Sequence, residues 1–335
     1  VDPISRKCGG SITVLIGWIY YAANEMDPYG CKLTPGTKQT DCLVSMLVLA
    51  TESLDTPLTV ETLCEWQTLL FPELPQLSEL TIGDLRNDGI HGDEPMQVIS
   101  YRGRQQTVHF EAPPKSILNQ ELAKFVDWFN SSSNEIHPLL KAGIAHLWFL
   151  TIHPFDDGNG RVARALTDRA LAQADNTSVR FYSLSATIES HRNDYYDHFK
   201  LTQNIKSESQ IDSGNDLDIT TWLTWFLDVL AETIELGRFR IDRVLNKSKF
   251  WYKHSQTTLS ERQTKVLNRL LDNLFLDCLG EEFNDGINAS KYQSLAKVSK
   301  ATATRDLSEL VEKGCLIKLE KGGRSTRYQV NLDEI

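Results

Sequence analysis

At 335 residues the chain has room for two domains of ordinary size, or one large domain with an appendage. A hydrophobic share of 41% is what a protein with a buried core carries, and a net charge of −10 excludes a surface that seeks nucleic acid or anionic membrane as a whole, though not a local basic patch. The six cysteines, Cys8, Cys31, Cys42, Cys64, Cys278 and Cys315, contain no C-x-x-C pair, which speaks against a zinc site and for reduced, mostly buried thiols in a cytoplasmic protein.

Near the start, Arg6-Lys7 precede an apolar run from Ile12 to Ala23 that Gly17 interrupts. It is too short for a membrane span and is read as a buried helix, with an exported leader as the competing reading. Thr59 is a candidate cap for a helix carrying Leu63, Trp66 and Leu70 at helical spacing. From Met96 to Phe110 the pattern changes: Val98-Ile99, a turn at Arg102-Gly103, then Val108 and Phe110 predict a β-hairpin, closed off by Pro113-Pro114. A helix from Ser116 places Leu118, Leu122, Phe125, Val126 and Phe129 on one face, and Pro138 opens another with Leu140, Ile144, Leu147 and Trp148. Further helices are expected from Asn159 towards Ala174, around Tyr195, Tyr196 and Phe199, and through Trp222, Trp225, Phe226, Val229 and Leu230. The polar stretch Lys206–Asp218 reads as a loop within the main domain.

A second domain is expected from about Thr257, with Val266, Leu267, Leu270, Leu271 and Leu274 on its first helix. Helices from Ser290 and from Lys300 to Lys313 follow, then strands Leu316–Glu320 and Tyr328–Asn331 around a basic turn. Helices followed by a basic hairpin match a winged helix-turn-helix. The expected divisions are therefore residues 1–40 as an N-terminal helical segment, 41–250 as the main domain and 257–335 as the winged helix.

The stretch His153–Arg164 carries chemistry. Gly158 and Gly160 allow a sharp turn and close approach of a ligand to the backbone. The helix that starts there exposes unpaired N–H groups, an anion site. Arg161 and Arg164, three apart, add forked donors for further phosphate oxygens. Asp157 would repel phosphates unless a cation such as Mg2+ bridges them. His153, with a pKa near neutrality, is the candidate general base. Taken singly, each feature has an ordinary reading: a capping histidine, a G-N-G turn, a solvated arginine pair. Their joint occurrence within twelve residues points instead to phosphoryl chemistry.

The run His153-Pro154-Phe155-Asp156-Asp157-Gly158-Asn159-Gly160-Arg161-Val162-Ala163-Arg164 resembles the signature H-x-F-x-[DE]-G-N-G-R-x-x-R of Fic-domain proteins, the Fic/Doc family, at every defined position. The resemblance extends from about Asp41 to Ile234, and the layout resembles bacterial Fic proteins with a C-terminal winged helix. It implies a mainly α fold: a helical Fic core with a β-hairpin flap, plus a small winged-helix domain. It further implies a protein adenylyltransferase, a nucleotidyltransferase that moves AMP from Mg-ATP to a Ser, Thr or Tyr hydroxyl of a target protein or of itself (AMPylation).

On that resemblance His153 is the catalytic base and Asp157 the Mg2+ ligand. Gly158, Asn159 and Gly160 form the anion hole, Arg161 and Arg164 bind the outer phosphates, and Phe155 anchors the loop. Tyr195 and Tyr196 either line the adenosine pocket or pack in the core. The hairpin at 96–110 corresponds to the flap on which a target protein docks as an added strand. Many family members also carry an inhibitory helix, [ST]-x-x-x-E-[GN], whose glutamate pairs with the second arginine, here Arg164. Its nearest N-terminal match, Ser5 to Gly10, has Gly9 in place of the glutamate. Either the brake is substituted, the favoured reading, or these residues are unrelated to it.

Between Lys291 and Arg327 nine Lys or Arg face four Asp or Glu, and Thr302, Thr304 and Arg305 fall where a recognition helix would meet a groove. DNA binding and use of this domain for homodimer or protein contact are both open, since fold does not fix function. The competing reading for the whole chain is a DNA-binding regulator whose loop only senses a nucleotide.

Overall fold

In the computed structural model, the structure describes residues 38–73, 80–87, 96–102, 105–131, 136–178, 181–203, 218–273, 286–319 and 326–332. The apolar run at 12–23, Gly9 and the polar loop at 206–217 lie outside the described residues. The described chain is mainly helical, and none of its helices is long and apolar enough to cross a membrane. It forms two compact units that divide between Ile234 and Glu235.

In the first unit, α1 (Lys38–Thr51) and α2 (Val60–Leu69) come first. Thr59 caps α2 as its sequence requires, with its hydroxyl accepting the Thr62 N–H at 3.1 Å. Strands β1 (Gln97–Arg102) and β2 (Gln105–Glu111) pair antiparallel, with a register shift between Val98 and Ile99. Such a bulge bends the strand locally. Helix α3 (Lys115–Ser131) buries Leu118, Leu122, Phe125, Val126 and Phe129 along one stripe, as the spacing predicts.

Helix α4 (Pro138–Ile152) departs from the sequence pattern. Of its expected apolar residues Leu147 is buried but Leu140, Ile144 and Trp148 are only half-buried, whereas Ala142, Ala145, His146, Phe149 and Ile152 are buried. A helix apolar nearly all round has no single face to read, so its orientation is decided by its neighbours. Those neighbours include α5 (Asn159–Asp175) and α8 (Thr220–Lys253). Close approach to α8 needs Gly143: a Cβ there would lie 2.9 Å from Phe226 Cδ1, and the Trp222 indole N–H donates to the Gly143 carbonyl at 3.0 Å. Two further helices, α6 (Leu184–Ser190) and α7 (Arg192–Gln203), complete the unit, and Phe199 of α7 meets Phe110 of β2 edge-to-face at 5.6 Å.

The second unit holds α9 (Glu261–Asn273), α10 (Ala289–Ala296), α11 (Lys300–Glu312) and the antiparallel strands β3 (Leu316–Lys318) and β4 (Tyr328–Val330). Its core gathers Val266, Leu267, Leu271, Tyr292, Leu307 and Leu310, with Phe250 from the end of α8. Asn288 and Ser299 cap α10 and α11. On the buried face of α11 the Asp306 carboxylate accepts from Arg262 Nε at 2.6 Å and from the Tyr292 hydroxyl at 3.0 Å. Of the cysteines, Cys42, Cys64 and Cys315 are described and all three are free thiols.

Candidate active site

Helix α4 stops at His153 because that residue turns left-handed, at φ 51° and ψ 57°, with its N–H still bonded to the Phe149 carbonyl at 3.0 Å. The imidazole Nδ1 lies 3.1 Å from the Leu150 carbonyl. A carbonyl only accepts, so Nδ1 carries the proton and Nε2 is the free basic nitrogen. Burial pushes the His153 pKa down to about 4; the Arg86 guanidinium adds to the depression, and the Leu150 carbonyl and Asp157 oppose it. The ring is therefore neutral at pH 7, as a proton acceptor must be.

The loop beyond His153 is braced from inside. Phe155 is fully buried and packs on Phe149 at 6.1 Å between ring centroids. Asn159 is buried too, and its amide grips the Phe155 backbone twice: Oδ1 accepts the Phe155 N–H at 3.0 Å and Nδ2 donates to the Phe155 carbonyl at 2.7 Å. The Asn159 side chain is thus spent on shaping the loop. What Asn159 could offer an anion is its backbone N–H, together with that of Gly160, in the first turn of α5 where N–H groups lack an intrahelical acceptor.

Gly158 holds φ 96°, and a Cβ there would meet Leu70 Cδ1 at 2.9 Å, so both conformation and space call for glycine. Its N–H donates to Asp157 Oδ1 at 2.6 Å, while Asp157 Oδ2 pairs with Arg161 Nη2 at 3.2 Å. Arg161 also lies over the Phe71 ring, 5.0 Å from its centroid. Arg164, one turn on, reaches back so that its Nη1 would be 3.5 Å from a Cβ on Gly160. Among the described residues no carboxylate forms an ion pair with it.

Sequence reasoning missed the outer frame. Gln67 of α2, fully buried, donates to the Asp157 carbonyl at 3.3 Å and accepts the Gly83 N–H at 2.7 Å. Asp156 Oδ2 accepts the Thr81 N–H at 2.8 Å. Arg86, fully buried, donates from Nε to the His153 carbonyl at 2.9 Å and from Nη2 to the Pro113 carbonyl. Gln67 had one local signal, a polar residue inside the apolar stripe of α2; Arg86 had none.

The two tyrosines separate. Tyr195 is 8% exposed, its hydroxyl 3.2 Å from His146 Nε2, with Trp222, Trp225 and Tyr196 around its ring. His146 Nδ1 in turn meets the Thr167 hydroxyl at 2.9 Å. Tyr195 lies in the buried aromatic cluster of this unit. Tyr196 is half-buried at the edge of the same cluster.

Among the described residues no group of three or more His, Cys, Asp or Glu is placed to hold a metal by itself. Asp157, 55% exposed at its side chain, is one carboxylate beside an anion-binding helix start. This donor set fits a Mg2+ that arrives with a nucleotide and takes most of its oxygens from phosphates and water.

Residues 57–171 match the family model described as Fic/DOC family. The protein adenylyltransferase Fic of Drosophila willistoni is 30% identical over 168 residues, which span 49% of this chain and 30% of that one. The protein adenylyltransferase Fic of Nematostella vectensis is 36% identical over 108 residues, spanning 31% of this chain and 23% of that one. The chain thus spans less than a third of the length of these curated relatives. Among solved structures, a Fic family protein from Desulfovibrio desulfuricans G20 superposes with a TM-score of 0.45 at 18% identity, covering 94% of this chain and 79% of that chain.

Proposed function

We propose, taking the Fic/DOC match over residues 57–171 as the premise, that this chain is a protein adenylyltransferase that moves AMP from ATP onto a hydroxyl of a target protein. The observation that carries the reading is the placement of a neutral His153, free at Nε2, on the same short loop as the anion-seeking start of α5. Nε2 accepts the proton of the target hydroxyl. The oxygen bonds to the α-phosphorus, the bond from that phosphorus to the bridging oxygen breaks, and pyrophosphate leaves. The Asn159 and Gly160 amides hold phosphate oxygens as charge builds. Arg161 and Arg164 hold the outer phosphates by forked donors. Asp157 would hold a Mg2+ ion, which supplies charge neutralisation on the triphosphate. For Asp157 to do so, its ion pair with Arg161 has to open.

The β1–β2 hairpin is read as the flap, offering a strand edge to the target so that backbone bonds place the hydroxyl. The second unit is read as a winged helix, on the order α9, α10, α11, β3, β4; Arg305 and Thr304 are exposed on α11. Use of this unit on DNA predicts duplex binding that weakens steeply with added salt. A Gly9 in place of a restraining glutamate fits an enzyme without its brake; equal transfer rates for the unchanged chain and for Gly9→Glu would remove that reading.

The decisive test is incubation with α-labelled ATP, Mg2+ and cell lysate. Label becomes fixed to protein with the unchanged chain and not with His153→Ala, the loss reaching roughly a hundredfold or more for removal of a general base. Absence of label on every protein, this chain included, would leave nucleotide sensing by a DNA-binding regulator as the better account.

A further inference from the structure

His153 does its proposed work from a left-handed backbone conformation that L residues avoid. Two bonds from Arg86 end on this turn, and a third carries from the same residue to another segment. The Arg86 N–H donates to the Pro154 carbonyl at 2.8 Å, and Arg86 Nε to the His153 carbonyl at 2.9 Å. The third, from Nη2, ends on the carbonyl of Pro113, two residues after β2. The guanidinium is fully buried, so the His153 and Pro113 carbonyls would lose their partner without gaining water if the Arg86 side chain were cut back.

We propose that Arg86 is a positioning residue for the transfer reaction: it locks His153 in its left-handed turn and ties that turn to the chain leaving the β1–β2 hairpin. The planar fork is what allows this, since one group reaches two carbonyls from segments far apart in sequence. The base and the strand edge expected to carry the target hydroxyl then share one fixed reference. The inference rests on reading His153 as that base.

The test uses the full 335-residue chain with Arg86→Lys and Arg86→Gln, each checked for cooperative thermal unfolding. The first readout is the pair of imidazole 15N shifts of His153, assigned by comparison with His153→Gln. The unchanged chain should show the tautomer protonated at Nδ1, because of the Leu150 carbonyl. In Arg86→Lys the compact ammonium cannot fork, the turn relaxes, and the shifts move towards the tautomer mixture of a free imidazole. The second readout is transfer of label from ATP: kcat falls roughly tenfold or more while KM for ATP stays within about twofold, as expected when a base is misplaced and nucleotide binding is not. If Arg86→Gln does not fold, Arg86→Lys decides. A folded Arg86→Lys with His153 shifts and kcat both like the unchanged chain would overturn the proposal. Should the unchanged chain transfer no label at all, the transferase reading falls, and the 15N shifts alone decide whether Arg86 orders His153.

Discussion

The His153 ring shows how one residue's surroundings set its chemistry. Its Nδ1 proton is held by the Leu150 carbonyl, and burial lowers its pKa to about 4. The sign follows directly: the neutral form, the one the proposed base needs, dominates at neutral pH and is lost only as pH falls through the folded value. We expect the acid limb of kcat/KM, which reports the free enzyme, to lie below the pH 6.5 of an ordinary histidine. Label transfer measured from pH 4.5 to 8 checks this, and an acid limb at or above 6.5 would contradict the burial seen here. His146 has the same sign without the same use. Burial pushes it down to about 3, and it serves as a neutral hub between Thr167 and Tyr195. Its stability contribution is complete above 6.5 and is lost as pH falls towards 3, because only the unfolded chain takes up the proton readily.

Among the elements, an aromatic contact joins the hairpin to α7. Phe110 of β2 meets Phe199 edge-to-face, a pair that contributes about 1 kcal/mol beyond its buried area. Phe199 is buried, whereas Phe110 is only partly so, and Phe110→Ala is therefore the milder way to loosen the hairpin. If the hairpin docks the target, this variant raises KM for the protein target several-fold and leaves KM for ATP unchanged. Kinetics against a purified target, with both substrates varied, separate the two. A rise in KM for ATP alone would place the hairpin's role at the nucleotide.

For the molecule as a whole, two cores of different construction share one chain. The first unit is held by aromatic packing around α4, α5 and α8. The second, much smaller, adds a polar anchor: Asp306, fully buried, between Arg262 and Tyr292. The hydrogen bond from Arg262 holds the Asp306 carboxyl below the usual carboxylate range, so its contribution is present above about pH 4 and fades as pH falls through the folded value. Arg262 is 40% exposed, so solvent screens that half of the anchor. The larger loss on Asp306→Leu comes from leaving the Tyr292 hydroxyl buried without its acceptor. We expect that substitution to lower the stability of the second unit by roughly 1–3 kcal/mol. Urea unfolding followed by a probe in this unit measures it, and an unchanged midpoint would show that the anchor adds nothing over packing.

Local pattern alone was enough for the capped start of α2, the apolar stripe of α3, the paired strands β1 and β2, and the glycine-bounded start of α5. In each case the information lies within a few residues: a side chain reaching its own backbone, a repeat at the helical period, an alternation, a glycine where φ is positive. Other features depended on the tertiary structure. The buried side of α4 could not be read from a helix apolar nearly all round. Tyr195 went to the core because Trp222 and Trp225 arrive from α8. The frame around the loop, Gln67, Asp156 and Arg86, is built from contacts between segments distant in the chain, Arg86 joining Pro113 to His153. Such contacts leave no period and no motif in the sequence, because what selects them is the position of a carbonyl in space.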